Sequence, residues 1–158
     1  MCFSLNVLRD RSYIGPATAV VAGALFCGSL LLPAVATCID APNPYAHWLE
    51  NEAILFAGWL GAIVGQFGWF ANIPLAVNTK QMLKRQLPNA TLVVLQVVFV
   101  ASAIFSLQPN RGMMLPHFEG PAEHVCELGS GFWLWVCANL TSVCGALYIH
   151  WSSRRGRT

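Results

Sequence analysis

The chain is divided by four long stretches free of Asp, Glu, Lys and Arg, at about residues 14–38, 53–77, 90–107 and 131–151. A helix crossing a hydrocarbon layer about 30 Å thick needs about 20 residues at a rise of about 1.5 Å each. The stretches have that length, and none shows the strict alternation of a membrane β-barrel. Backbone polar groups in lipid must then be satisfied within each segment, which requires helices. The pattern predicts an all-α membrane protein, a four-transmembrane-helix bundle in one domain over residues 1–158. We find no internal repeat, low-complexity tract or linker that would divide it.

Composition supports this expectation. Of the 158 residues 56% are hydrophobic and 10% charged, too few charges to clothe a water-soluble domain. The net charge of +2 says little, but its distribution orients the chain. Arg9 and Arg11 precede the first stretch, Lys80, Lys84 and Arg85 follow the second, and Arg154, Arg155 and Arg157 follow the fourth. The other connections carry Asp40, Glu50, Glu52, Glu119, Glu123 and Glu127, with Arg111 their single base. The positive-inside rule predicts both termini and the loop at 79–89 in the cytoplasm. Trp133 and Trp135 at one end of the last stretch, with Tyr148 and Trp151 at the other, read as interfacial anchors. Arg9 and Arg11, an apolar run and then Ala34-Val35-Ala36 also match a secretory signal. The run exceeds the 7 to 15 apolar residues typical of a signal core, so a retained helix is expected.

Within the stretches, Ala57, Gly61 and Gly65 recur at intervals of four, and Ala19, Gly23 and Cys27 repeat the spacing. Small residues so placed allow close helix approach, and Gly61, Gly65 and Gly23 are the expected packing positions. Gln66, Asn72, Gln96 and Asn139 are amides in apolar surroundings. Hydrocarbon offers them no partner, so they are expected to face inward and bond between helices. Pro74 deprives the Phe70 carbonyl of its helical donor and predicts a break near Asn72, whose side chain is placed to cover the gap.

Six cysteines are present and none forms a CxxC pair, which argues against a membrane thiol oxidase. Cys38 and Cys126 are the only two expected together on the outer side, where an oxidising compartment would join them. His47, His117 and His124 share that side with five glutamates but follow no metal-ligand spacing, so a solvated acidic surface is expected, with no metal and no cofactor. No nucleophile constellation, phosphate-binding loop or nucleic-acid signature occurs.

Two segments carry a resemblance. GWLGAIVGQFGWFANIP, from Gly58 to Pro74, resembles the GWLG and QFAWYANP pattern of small uncharacterised bacterial inner-membrane proteins, and GSGFWLWVCAN, from Gly129 to Asn139, resembles their GxGYWLWLAS segment. Phe70 stands where that pattern often has tyrosine, and Ile73 separates Asn72 from Pro74. The resemblance implies a four-helix fold in the inner membrane and no reaction. The expected function is that of a non-enzymatic integral membrane protein acting through binding or assembly, as a partner subunit, immunity-type protein or conflict effector. Its partners would be the lipid bilayer and either further copies of itself or another membrane protein, not nucleic acid. The alternative is an oligomeric channel or small-solute pore lined by the uncharged polar residues.

Overall fold

The computed structural model describes residues 3–39, 47–50, 56, 67–106, 114–115 and 123–155. Within them the chain is mostly helical. Helix α1 covers Phe3–Leu30, α2 Asn72–Leu83, α3 Ala90–Ser106 and α4 Ser130–Arg155, and a single 3-10 turn, Gly68–Ala71, leads into α2. Four short strands accompany them: β1 Pro33–Ile39, β2 His47–Glu50, β3 Met114–Leu115 and β4 Glu123–Leu128. Two segments, Tyr13–Leu30 and Ser130–Arg155, are long and apolar enough to cross a membrane, and α3 is apolar over 17 residues.

The predominance of helix agrees with the all-α expectation, to which the short strands are an addition, and β1 takes residues from the first helix, which was expected to run to Cys38. That helix stops at Leu30. Pro33 has no backbone N–H and disfavours helical geometry in the residue before it. The following Ala34-Val35-Ala36-Thr37-Cys38-Ile39 includes β-branched residues at alternate positions, which suit a pleated strand. Antiparallel pairing in the order β2-β1-β4-β3 places β1 and β4 at the centre. Ala34 and Val35 are buried and pack with Leu128 of β4, while the Gly129 N–H donates to the Ala34 carbonyl at 2.7 Å. The end of α1 and the start of α4 are thereby held under one sheet.

The second expected span is also revised. Its described part is the 3-10 turn and then α2, which starts at Asn72 and runs to Leu83 instead of stopping at 77. Pro74 falls in the first turn of α2, where its missing N–H removes no helical hydrogen bond. At Asn72 the described chain changes from the 3-10 turn to α-helix. The backbone N–H of Asn72 points to the Trp69 and Phe70 carbonyls, while its side chain is engaged elsewhere, as described below.

Helix α3 matches its expected span, and its inward face follows the heptad spacing Val93, Gln96, Val100, Ala103. Val100 and Ala103 pack with Ala71, Phe132, Trp135 and Val136, and Val93 packs with Val143 and Ala146. The closest backbone approaches occur at glycines. A Cβ on Gly68 would overlap the Ala103 side chain and lie 3.1 Å from the Ala103 Cα. On Gly145 it would overlap the Thr18 methyl and lie 3.0 Å from the Thr18 Cβ, and on Gly15 it would stand 3.3 Å from the Met82 carbonyl oxygen. These contacts pack α3 on the 3-10 turn, α4 on α1, and α1 on α2. Gly23, expected as a packing position, is half-buried, and an added Cβ there would meet nothing within 4 Å. The small-residue spacing of α1 therefore does not mark its close contact, which runs instead through Thr18. Gly61 and Gly65 lie outside the described residues.

The two ends of the bundle differ in chemistry. The sheet occupies one end. The other gathers the α2–α3 turn, the Tyr13–Gly15 region of α1 and the last turns of α4. There the Arg85 guanidinium stands 6.0 Å from the Tyr13 ring centre, and His150 Nε2 lies 2.8 Å from the Pro88 carbonyl oxygen.

Candidate functional site: a buried amide relay and a disulfide-locked sheet

Three fully buried amides, one from each of α2, α3 and α4, meet in the core. The Asn78 Nδ2 donates to Gln96 Oε1 at 3.0 Å, and Gln96 Nε2 donates to Asn139 Oδ1 at 2.9 Å and to the Asn139 carbonyl at 3.4 Å. The Asn139 Nδ2 in turn donates to the Trp135 carbonyl, one turn back in α4, at 3.0 Å. A parallel bond runs from the Trp135 indole N–H to Asn72 Oδ1 at 2.7 Å. Helix α2 is thus bonded to α4 directly through Asn72 and to α3 through Asn78. Gln96 is the hub, because both ends of its amide are used.

Of the amides expected to bond between helices, Asn72, Gln96 and Asn139 occupy these positions, and Gln66 lies outside the described residues. Two members escape a hydropathy reading. Asn78 falls one residue beyond the expected end of the second span, yet it is fully buried because α2 continues inward-facing to Met82. Trp135, expected as an interfacial anchor, is 9% exposed and donates into the core, whereas Trp133 beside it is 49% exposed. The Asn72 side-chain oxygen accepts from the Trp135 indole, so this side chain ties α2 to α4. Asn78 Oδ1, Thr79 Oγ1 and Ser142 Oγ are buried without a hydrogen-bond partner among the described residues.

At the sheet end the structure joins Cys38 of β1 to Cys126 of β4, with Cα atoms 5.9 Å apart, inside the range a disulfide requires. The register explains how they meet. Ala36 opposes Glu127 and Thr37 opposes Val125, so Cys126 is an extra, unopposed residue. A β-bulge of this kind re-aims a side chain, and Cys126 is turned to Cys38 although the strand partner of Cys38 is His124. Cys27, Cys137 and Cys144 are free and exposed on the helices. Among the described residues no three His, Cys, Asp or Glu side chains gather in a group able to hold a metal ion.

The relay holds neutral amides in a buried setting, with each hydrogen bond joining one helix to another or a side chain to its own helix. Such an arrangement fixes helix register and rotation. No protein-family model matches the chain, and no curated protein or solved structure matches it either.

Proposed function

We propose that the chain is a multi-pass membrane protein with four membrane segments and both termini in the cytoplasm, and that it acts by binding or assembly instead of by chemistry. The observation that carries the membrane reading is the belt of apolar side chains facing outward between the two ends. Val94, Val97, Val98 and Phe105 of α3, and Leu140, Leu147 and Trp151 of α4, are each about half exposed or more. Water would penalise so continuous an apolar surface, whereas lipid or a partner helix would not. Lys80, Lys84 and Arg85 stand at the end that also carries Arg154 and Arg155, opposite the disulfide. This is the arrangement expected if the basic end faces the cytoplasm and the cystine the oxidising side.

Binding is favoured over conduction by the state of the amides. A pore between copies of the chain would need polar groups on its wall, yet Gln96 and Asn139 are fully buried within one chain and bonded to each other. Oligomeric state in mild detergent, paired with ion flux in liposomes, tests the reading. A defined complex without flux supports it, and selective flux through the reconstituted protein would overturn it in favour of a pore.

A further inference from the structure

We propose that Tyr13, Lys84 and Arg85 form a site for the phosphate group of an anionic phospholipid, at the membrane face where the α2–α3 turn lies. The proposal rests on the membrane reading above.

Helix α2 ends in a paired cap: the Gln86 N–H donates to the Gln81 carbonyl at 2.8 Å and the Arg85 N–H to the Met82 carbonyl at 3.0 Å. That pattern places Arg85 at the left-handed position, and its φ of 56° is the only positive value at a non-glycine among the described residues. Glycine adopts this conformation freely, and a residue with a Cβ does so at a cost. Strain kept at one position points to a use for the side chain. The use is not a tight internal contact. The guanidinium carbon lies 6.0 Å from the Tyr13 ring centre, the outer limit of a cation–π contact, and Lys84, Arg85 and Tyr13 are all exposed.

The surroundings suit a lipid phosphate. The described segments 3–15, 78–90 and 148–155 contain seven basic residues and a single carboxylate, Asp10. A planar guanidinium engages phosphate oxygens through two parallel N–H bonds, and a neighbouring ammonium adds a point charge. Leu83 and Leu87, 50% and 49% exposed, flank the cations and offer apolar surface to acyl chains. The turn that presents Arg85 is fixed in place. The Asn89 N–H donates to Gln81 Oε1 at 3.0 Å, Asn89 Oδ1 caps α3 by accepting from the Thr91 N–H at 2.9 Å, and His150 holds Pro88 from α4. A rigid turn lowers the ordering cost of binding.

The test compares wild type with Arg85→Gly, a substitution that relieves the backbone while removing the cation. Thermal unfolding is followed in neutral detergent alone, with added phosphatidylglycerol, with added phosphatidylcholine, and with inorganic phosphate. Wild type is expected to gain about 2 to 4 °C from phosphatidylglycerol and nothing comparable from the other two. Arg85→Gly is expected to be at least as stable as wild type in neutral detergent and to lose the phosphatidylglycerol shift. A shift retained by Arg85→Gly overturns the site. An equal shift of wild type with phosphatidylcholine overturns the requirement for an anionic lipid, and an equal shift with inorganic phosphate overturns the lipid source. Reduced stability of Arg85→Gly in neutral detergent overturns the proposal in another way, by showing that Arg85 serves the fold through Tyr13. Alkaline extraction of wild-type vesicles separates the two readings. Release of the protein overturns the membrane reading and this site with it, whereas retention with an unchanged shift in Arg85→Gly overturns the site alone.

Discussion

Gln96 joins three helices through one side chain, and replacing it with leucine is the most informative single perturbation of the core. Leucine is close to glutamine in volume, so the loss is one of hydrogen bonds more than of packing. Asn78 Nδ2 loses its acceptor, and because Asn78 Oδ1 already has no partner among the described residues, that amide is left with no bond there. Asn139 Oδ1 loses its donor while Asn139 Nδ2 keeps the Trp135 carbonyl. An orphaned neutral group costs about 1 to 3 kcal/mol in a protein interior. Interhelical bonds in membranes are measured nearer about 0.6 kcal/mol, with a maximum near about 1.7. With two groups orphaned, and part of the loss offset by the greater apolarity of leucine, the expected destabilisation is about 2 kcal/mol.

Reversible unfolding in mixed micelles measures that loss, with Val97→Ala as a control because Val97 is 47% exposed. A double-mutant cycle sharpens the test. Asn139→Leu alone leaves Gln96 Nε2 only its longer contact to the residue 139 backbone carbonyl, at 3.4 Å, but in a Gln96→Leu background there is no donor left to weaken. The double variant is therefore expected to be about 1 kcal/mol more stable than the sum of the single losses predicts. Additive losses, or a Gln96→Leu variant no less stable than the Val97→Ala control, would refute the view that the relay holds the helices together.

Cys38→Ser is expected to lower stability by about 2 to 4 kcal/mol, below the roughly 4.6 kcal/mol that chain entropy gives for a separation of 88 residues, since in the proposed membrane setting lipid would restrict the unfolded chain. Alkylation mapping without reductant on protein from intact aerobic cells checks the bond directly, and free thiols at both positions would exclude it. Gly145→Ala is expected to destabilise by about 1 to 3 kcal/mol through its clash with Thr18, whereas Gly23→Ala, in open space, is expected to be neutral or stabilising by about 0.5 kcal/mol. Equal melting temperatures for these two variants would count against the α1–α4 contact. His150→Ala removes the bond to Pro88 and is expected to cost about 1 kcal/mol, read by the same unfolding assay. Reporter fusions after Thr158 and within 79–89 are expected to signal cytoplasm, and an outward C-terminus would reverse the orientation.

The elements that hydropathy describes well are those whose whole environment is apolar. Helices α3 and α4 begin and end within a few residues of their charge-free runs, because few polar groups compete for those residues. The strand β1 defeats the same reasoning, since Ala34, Val35 and Ala36 are as apolar as the helix before them and an apolar count cannot tell a buried strand from a helix. The local signal for the change lies in Pro33, which disfavours helical geometry in the residue before it. Asn78 was hidden for the opposite reason. A boundary drawn at the last apolar residue ignores that α2 keeps its inward face for another turn, and that an amide can be buried wherever a second amide meets it. The glycine spacing of α1 misled because spacing names a face without naming its partner. Gly145 is placed by Thr18, and Gly23 by nothing within reach. The bulge at Cys126 follows from strand pairing that no single segment encodes, so the proximity of the two cysteines could be expected from their side of the membrane while its geometry could not. In each case the residue's own polarity limits where it can lie, and a partner distant in the chain decides where it does. For α2, only 12 residues long and bounded by a 3-10 turn and a strained cap, those partners are Gln96 and Trp135. A helix so short has little stability of its own, and its place in the bundle therefore depends on the amides that α3 and α4 present to it.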